Sequence, residues 1–407
     1  MKKYYLIGEK LSHSYSKDIH SFFGLNYELK ELLPDEVGDF LRKKEFDGIN
    51  VTIPYKKTVI SYLDEIDEIA ENIGAVNTIV NENGKLKGYN TDYFGLKYAL
   101  SSAGTELKDK RVAVLGSGGA SVTLQKLAEN LGAAEIAVVS RSGEIDYENV
   151  YEKIDPQIVV NATPVGMFPN ENGQPIRLEK FKNLSGVFDC VYNPFRTRLV
   201  LNAEKLGIKA VGGLKMLAAQ GVYSEFLWGE AEFKEENIEA AYKNLLKKEV
   251  NIALVGMPGA GKTFLGKAVA EKLGRAFYDT DDLCKDISGF SPEETIEKFG
   301  EKKFRDIEKA AVEKLSRVRG AVIATGGGTV LSEENVSKLR SSGVVAYIER
   351  DLAKLCIEGR PLSKSAPISR LFEQREGHYL AAGDIKIRND GEREEVAEKI
   401  IGSVFGI

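Results

Sequence analysis

Short apolar, β-branched runs alternate along this chain with longer stretches whose apolar residues recur every third or fourth position. The short runs fall at 48–53, 112–115, 136–139, 158–161, 186–189, 252–255, 321–324 and 344–348, and stretches such as 121–131 and 264–273 carry the longer repeat. A period near two reads as strand and one near 3.6 as helix, so the alternation predicts an α/β fold with largely parallel sheets. Two glycine-rich turns, beginning at Gly116 and Gly256, each follow a strand and open a helix. Two such loops would be unusual in one small domain, and a major boundary is expected between them. The segment 233–249 places Glu235 and Glu236 early and Lys243, Lys247 and Lys248 late, which suits a helix dipole. It runs almost directly into the strand 250–255, so the boundary is set near Lys248 with a short linker.

Composition narrows the class. At roughly 150 residues per domain, 407 residues allow two or three domains. A content of 43% hydrophobic and 29% charged residues argues against disorder. The net charge of -5 excludes a polycationic nucleic-acid surface but leaves a local anion cleft open. No run approaches the roughly 20 apolar residues that cross a bilayer, and the apolar stretch near Tyr4 breaks too early for a signal-peptide core. Cys190, Cys284 and Cys356 are far apart and odd in number, which argues against a disulfide framework and a cysteine zinc site. His13, His20 and His378 form no metal pattern. A cytoplasmic protein is expected.

The sharpest motif is Gly256-Met-Pro-Gly-Ala-Gly-Lys262-Thr263, which fits G-x-x-x-x-G-K-[ST] between a strand and a helix. Its glycines let backbone N–H groups curl around phosphate oxygens at a helix N-terminus. Lys262 then reaches the β/γ-phosphates and the Thr263 hydroxyl holds Mg²⁺. Gly256, Gly259, Ala260, Gly261, Lys262, Thr263 and Phe264 are the candidate ATP contacts. Downstream, Asp279-Thr-Asp281 sets two carboxylates at the end of a strand pattern. Phe304-Arg305, Gly326-Gly327-Gly328, Arg360-Pro-Leu362 and Arg375-x-x-x-Tyr379 follow. Each alone also reads as a solvated surface feature.

Together and in this order they resemble shikimate kinase over residues 250–407. The resemblance implies that Asp281 deprotonates the attacking hydroxyl and that Arg305 and Arg375 grip the carboxylate of shikimate. It implies that Gly326, Gly327 and Gly328 lie against the ring, that Asp279 orders Mg²⁺ water, and that Arg360 arrives on a lid to neutralise phosphoryl charge. The lid is short and lacks an arginine that the family usually carries ahead of Arg360.

In the first half, Gly116-Ser117-Gly118-Gly119-Ala120-Ser121 is a loose dinucleotide loop, with Ser121 in the last glycine position. After the next strand stands Ser140-Arg141-Ser142, where an acidic residue would suit NAD. A cation among hydroxyls suits the 2′-phosphate of NADP, and the plainer alternative is that Arg141 caps a strand. In Gly48-Ile-Asn50-Val-Thr52-Ile-Pro54-Tyr-Lys56, alternation puts Asn50 and Thr52 on one strand face. Pro54 suits the first turn of a helix that would carry Lys56. Buried amides without partners are costly, so a hydroxylated substrate is expected to supply the partner of Asn50. Ser14 and Ser16 repeat the spacing, and they also read as ordinary loop serines.

With Gly74-Ala-Val-Asn77, Asn90-Thr-Asp92, Asn161-Ala-Thr163, Asp189-Cys190-Val-Tyr192 and Gly213 to Gln220, this ordered set resembles shikimate dehydrogenase across roughly residues 1–245. The resemblance implies a proton-transfer pair of Lys56 and Asp92. It assigns Ser14, Ser16, Thr52, Asn77, Asp92, Tyr192 and Gln220 to the substrate, to which the strand-face reading adds Asn50. Gly116, Ser117, Gly118, Gly119, Ala120, Ser140, Arg141, Ser142, Cys190 and Gly213 are assigned to the cofactor. It further implies an α/β substrate domain at 1–102 and 212–246, a Rossmann-type NADP domain at 103–211, and a P-loop kinase domain at 249–407. His13 and His20 read as structural and Trp228 as packing.

The expectation is a bifunctional enzyme using NADP(H), ATP and Mg²⁺, with 3-dehydroshikimate and shikimate as substrates and neither nucleic acid nor membrane as partner. Two rivals remain: a kinase half that only binds shikimate, and a dehydrogenase preferring quinate and NAD.

Overall fold

The computed structural model describes residues 2–11, 14–355 and 368–406; Arg360, Cys356 and His13 lie outside these described residues. The chain separates into two units, Met1–Leu245 and Leu246–Ile407, and the division falls inside the helix Glu235–Glu249.

In the first unit, β1 (Tyr4–Gly8) pairs in parallel with β2 (Tyr27–Glu31) and β3 (Gly48–Val51). Beyond β3 lie β5 (Thr78–Glu82), β6 (Lys85–Tyr89) and the short β4 (Glu65–Ile66), giving the order β2-β1-β3-β5-β6-β4. The β3–β5 and β5–β6 pairings are antiparallel, a local departure from the parallel expectation. The Asn83-Gly84 turn, with φ of 54° and 84°, is a two-residue link that joins only antiparallel neighbours and accounts for the β5–β6 pairing. One sheet face buries Ile7, Ile49, Val51 and Ile79 against Val37 and Leu41. The other packs Tyr4, Leu6 and Tyr27 around Trp228, whose ring stacks on Tyr4 at 4.9 Å and whose indole N–H donates to the Ile79 carbonyl.

A second sheet, β11-β10-β9-β7-β8, is parallel throughout. Its strands are β7 (Arg111–Leu115), β8 (Glu135–Val139), β9 (Ile158–Asn161), β10 (Gly186–Asp189) and β11 (Lys209–Val211). Val112, Val114 and Val160 enter one core while Ala113, Leu115 and Val159 enter the other, so both faces are covered. The strand order reverses beside β7, which opens a crevice at the carboxyl ends of β7 and β9.

The second unit holds the parallel sheet β13-β14-β12-β15-β16. Its strands are β12 (Asn251–Val255), β13 (Phe277–Asp279), β14 (Val322–Ala324), β15 (Gly343–Glu349) and β16 (Ile385–Arg388). β12 is buried along its length and feeds the phosphate loop into the helix Lys262–Leu273. The helix Pro292–Ser316 starts with a capping box between Ser291 and Glu294 and bends at Gly300. No described helix is long and apolar enough to cross a membrane.

Two local expectations need correction. β3 stops at Val51, and Ile53 is exposed rather than turned into the core. Lys56 therefore stands in a turn ahead of the 3-10 helix Thr58–Tyr62, not in the first turn of an α-helix. The turn is fixed by Tyr55, which is buried and donates its hydroxyl to the Leu32 carbonyl at 2.5 Å. Likewise Asp281 leaves the strand: Asp279 ends β13 and caps the helix Thr280–Ser288, so Asp281 lies in that helix's first turn.

Candidate active sites

In the first unit, Lys56 donates from Nζ to Asp92 Oδ2 at 2.5 Å, with both side chains only partly exposed. Asp92 sits in the first turn of the helix Thr91–Ser102, and the Asn90 side chain caps that helix by accepting the Tyr93 N–H. The Lys56 carbonyl accepts the Val76 N–H, which ties its turn to the neighbouring Asn77. Asn77 accepts the Thr91 N–H at 2.6 Å and donates to Thr91 Oγ1, while Thr91 Oγ1 donates to Gln220 Oε1 at 3.2 Å. Lys56, Asn77, Asp92 and Gln220 are thus held as one group. Thr52 stands just past β3, donating its N–H to the Ile7 carbonyl beside Gly8. Ser14 and Ser16 join through a hydroxyl bond of 3.1 Å, and between them Tyr15 packs on Tyr192 with ring centroids 5.1 Å apart.

Asn50 behaves differently from expectation. It is buried, accepts the Tyr27 hydroxyl at 2.8 Å, and donates to Thr78 Oγ1 at 3.0 Å and Ser224 Oγ at 2.9 Å. The protein itself supplies the partners that were expected from a substrate. Behind this network His20 Nδ1 meets Glu225 Oε1 at 2.8 Å, both side chains fully buried. Burial lowers the His20 pKa to about 3 and raises Glu225 to about 9. Ser224, Thr91 and Glu225 lay outside the sequence reading because nothing local marks a helix residue as a partner of a distant strand.

The crevice of the second sheet holds the cofactor candidates. Gly116, with φ of 105°, ends β7, and Ser117 and Gly118 lead into the helix Gly119–Asn130. At Gly118 and Gly119 a Cβ would meet nothing within 4 Å, so the N-terminal end of this helix is open for close approach. Ala120 follows in the first helical turn, and Ser121 is buried and accepts from Gln125. Ser140, Arg141 and Ser142 form the turn after β8, with Arg141 and Ser142 exposed. Cys190 follows β10, and Gly213 donates its N–H to the adjacent Val191 carbonyl at 3.0 Å. Burial pushes the Cys190 thiol up, Asp189 and Asp92 add to it, and Lys56 opposes it. Asp189, part of the quoted motif but given no role in the sequence, accepts from Asn161, Val191 and Thr197 and fastens the loop that carries Tyr192. Burial raises its pKa to about 6 despite these bonds.

In the second unit the phosphate loop turns through Gly256, Gly259 and Gly261, all at positive φ, and Ala260 accepts the Asn389 amide at 2.7 Å. Lys262 donates to the Gly256 and Met257 carbonyls at 2.8 and 2.9 Å. Phe264 is exposed, with the Arg393 guanidinium 4.7 Å from its ring centre. Thr263 donates to Asp279 Oδ2 at 2.8 Å, and Asp279 Oδ1 accepts the Asp281 N–H.

The glycine triplet is where the remaining candidates converge. A Cβ at Gly326 would lie 2.9 Å from Asp281 Oδ1, one at Gly327 would strike Pro258 of the phosphate loop, and one at Gly328 would lie 2.5 Å from Arg305 Nη2. Arg375 and Tyr379 both donate to the Gly327 carbonyl. Arg305 pairs with Glu308 at 2.9 Å and Glu301 at 3.0 Å; burial opposes its charge, but the two carboxylates outweigh that and raise its pKa. Glu308, unremarked in the sequence, also accepts the Thr329 hydroxyl. Asp281, Arg305 and Arg375 therefore border one surface. Arg360 lies outside the described residues.

Comparison with known proteins follows the same division. Residues 6–79 match the model of the shikimate dehydrogenase substrate binding domain, and residues 258–404 match that of shikimate kinase. A shikimate dehydrogenase (NADP(+)) of Caldicellulosiruptor bescii is 38% identical over 261 residues, 56% of this chain and 89% of that protein. A chorismate mutase/shikimate 5-dehydrogenase fusion protein from Clostridium acetobutylicum has a similar crystal structure (TM-score 0.57, 35% identity, 60% of this chain and 97% of that one). So does the shikimate 5-dehydrogenase of Thermus thermophilus in complex with NADP(H) and shikimate (TM-score 0.55, 30% identity, 60% and 100%).

Proposed function

We propose a function from one premise: this chain belongs to the shikimate dehydrogenase family and carries a shikimate kinase domain after it in sequence. It is a bifunctional enzyme that reduces 3-dehydroshikimate to shikimate with NADPH and phosphorylates the 3-hydroxyl of shikimate with ATP. The observations that support this most are the Lys56–Asp92 pair of the first unit and, in the second, the convergence of Asp281, Arg305 and Arg375 on the glycine triplet beside the phosphate loop.

In the reductase site, Ser14, Ser16, Thr52, Asn77, Tyr192 and Gln220 hold the ring substituents and carboxylate, and Asn50 holds the strand from behind. Lys56 directs its ammonium at the carbonyl oxygen and passes a proton to the developing alkoxide, while Asp92 keeps that ammonium oriented. The open helix end at Gly118 and Gly119 fits a dinucleotide pyrophosphate, and exposed Arg141 between two serines fits a 2′-phosphate. The reduced nicotinamide supplies the hydride when bound.

In the kinase site, Arg305 and Arg375 take the carboxylate, Asp281 accepts the hydroxyl proton, and Lys262 exchanges its loop carbonyls for phosphate oxygens. Among the described residues no cluster of three or more His, Cys, Asp or Glu could hold a metal. Thr263 and Asp279 nevertheless fit Mg²⁺, which keeps waters and leans on substrate phosphates more than on protein ligands. Bound there, the ion neutralises charge on the phosphoryl oxygens.

Lys56→Ala should cut dehydroshikimate-dependent NADPH oxidation by about 10²–10⁴ and spare shikimate-dependent ADP formation. Lys262→Ala should do the reverse by about 10²–10³. Parallel absorbance and coupled ADP assays check both. Loss of both activities in either folded variant would overturn the reading.

A further inference from the structure

Beside the phosphate loop of the second unit stands a cation whose buried donor is left over. Arg350 directly follows β15, and its Nε is shielded from solvent with no hydrogen-bond partner among the described residues. Its Nη1 would lie 3.7 Å from a Cβ built on Gly261. The carboxylates nearby in sequence and on the adjoining strand are engaged elsewhere. Glu349 is held by Lys386 at 2.8 Å, Asp351 caps the Ala353 N–H, Asp390 pairs with Arg388 at 3.3 Å, and Asp384 pairs with Arg340 at 3.0 Å.

A desolvated N–H on a charged group costs free energy until an acceptor reaches it. The acceptor that fits a planar guanidinium fork at a phosphate loop is a phosphate oxygen. Asn389 fixes the same stretch of loop through its bond to the Ala260 carbonyl, and Gly261 leaves room for both side chains. We propose that Arg350 is a nucleotide-binding residue of the kinase site, donating to the phosphate chain of ATP and ADP on the Gly261 side of the loop. The proposal rests on the kinase reading of this unit and adds a second cation to Lys262.

The test uses the full chain with Mg²⁺. Arg350→Met keeps the bulk of the side chain and removes the charge; Arg350→Lys restores a charge without the fork. Titration calorimetry with ADP and with adenosine, together with steady-state ADP formation, gives the readout. Arg350→Met should weaken ADP and raise the KM for ATP about tenfold, the scale of one charge-assisted hydrogen bond. Adenosine affinity and the KM for shikimate should stay unchanged, and Arg350→Lys should fall between. Unchanged ADP affinity in Arg350→Met would overturn the proposal, as would equal losses for ADP and adenosine. A wild-type chain that turns over no ATP with shikimate would sink the kinase reading instead, which separates the two failures.

Discussion

His20 and Glu225 share a hydrogen bond in a site sealed from water, and burial favours the neutral form of each. Glu225 keeps its proton in the folded state up to about pH 9, whereas in the unfolded chain it ionises near 4.5. Between those values the unfolded state binds fewer protons, so this group takes stability away as pH rises. Glu225→Gln preserves shape and hydrogen bonding without the proton. Relative to wild type it should gain stability from pH 5 to pH 8 by up to about 1.4 kcal/mol per pH unit. Urea unfolding at the two pH values, followed by loss of reductase activity, checks this; a constant difference would mean that Glu225 is ionised in the fold. At this scale the sequence was legible for types but not for partners. Lys56 and Asp92 were marked by their company and do pair, 36 positions apart. Asn50 was marked for the same reason, yet its polar neighbours are Thr78 and Ser224, and a strand read alone does not reveal a hydroxyl on a helix 174 positions away.

Helix contacts decide how well the reductase residues hold their positions. Gly95 lets the helix Thr91–Ser102 lie against the helix Leu214–Leu227, for a Cβ there would sit 2.6 Å from the Met216 carbonyl and 2.9 Å from Gln220 Cβ. Those helices carry Asp92 and Gln220. Gly95→Ala should destabilise the first unit by about 1–3 kcal/mol, the usual cost of an overpacked contact. It should also raise the KM for dehydroshikimate severalfold while shikimate-dependent ADP formation stays unchanged; an unchanged KM would show that the helix pair tolerates the methyl. The alternating strands and helices were readable from periodicity because burial on both faces of a parallel sheet leaves continuous apolar runs. Element ends were not. The strand 48–53 was read two residues too long, since Ile53 is apolar yet exposed, and Asp281 was read onto a strand end although Asp279 caps a helix there. Both errors share a cause: what ends an element is a buried tyrosine or a side-chain cap, and hydropathy records neither.

Over the whole molecule, the described candidates for reduction fall within Met1–Leu245 and those for phosphoryl transfer within Leu246–Ile407. The two phosphate loops and the charge order of one helix led to an expected boundary near Lys248, and the units part between Leu245 and Leu246. Arg360, expected on a lid from the resemblance alone, lies outside the described residues. Because the described candidates of each set lie within one unit, an equimolar mixture of Lys56→Ala and Lys262→Ala chains should convert dehydroshikimate to phosphorylated product. Chromatography of the product checks this, and an inactive mixture of chains that are each active in one half would mean that the intermediate is not released. Trp228 has a use of its own. It is the chain's single tryptophan and sits against Tyr4, Tyr27 and His20 beneath the reductase network. Excitation near 295 nm, where tyrosine scarcely absorbs, should therefore watch one half of the enzyme melt, leaving the nucleotide-phosphorylating half optically silent.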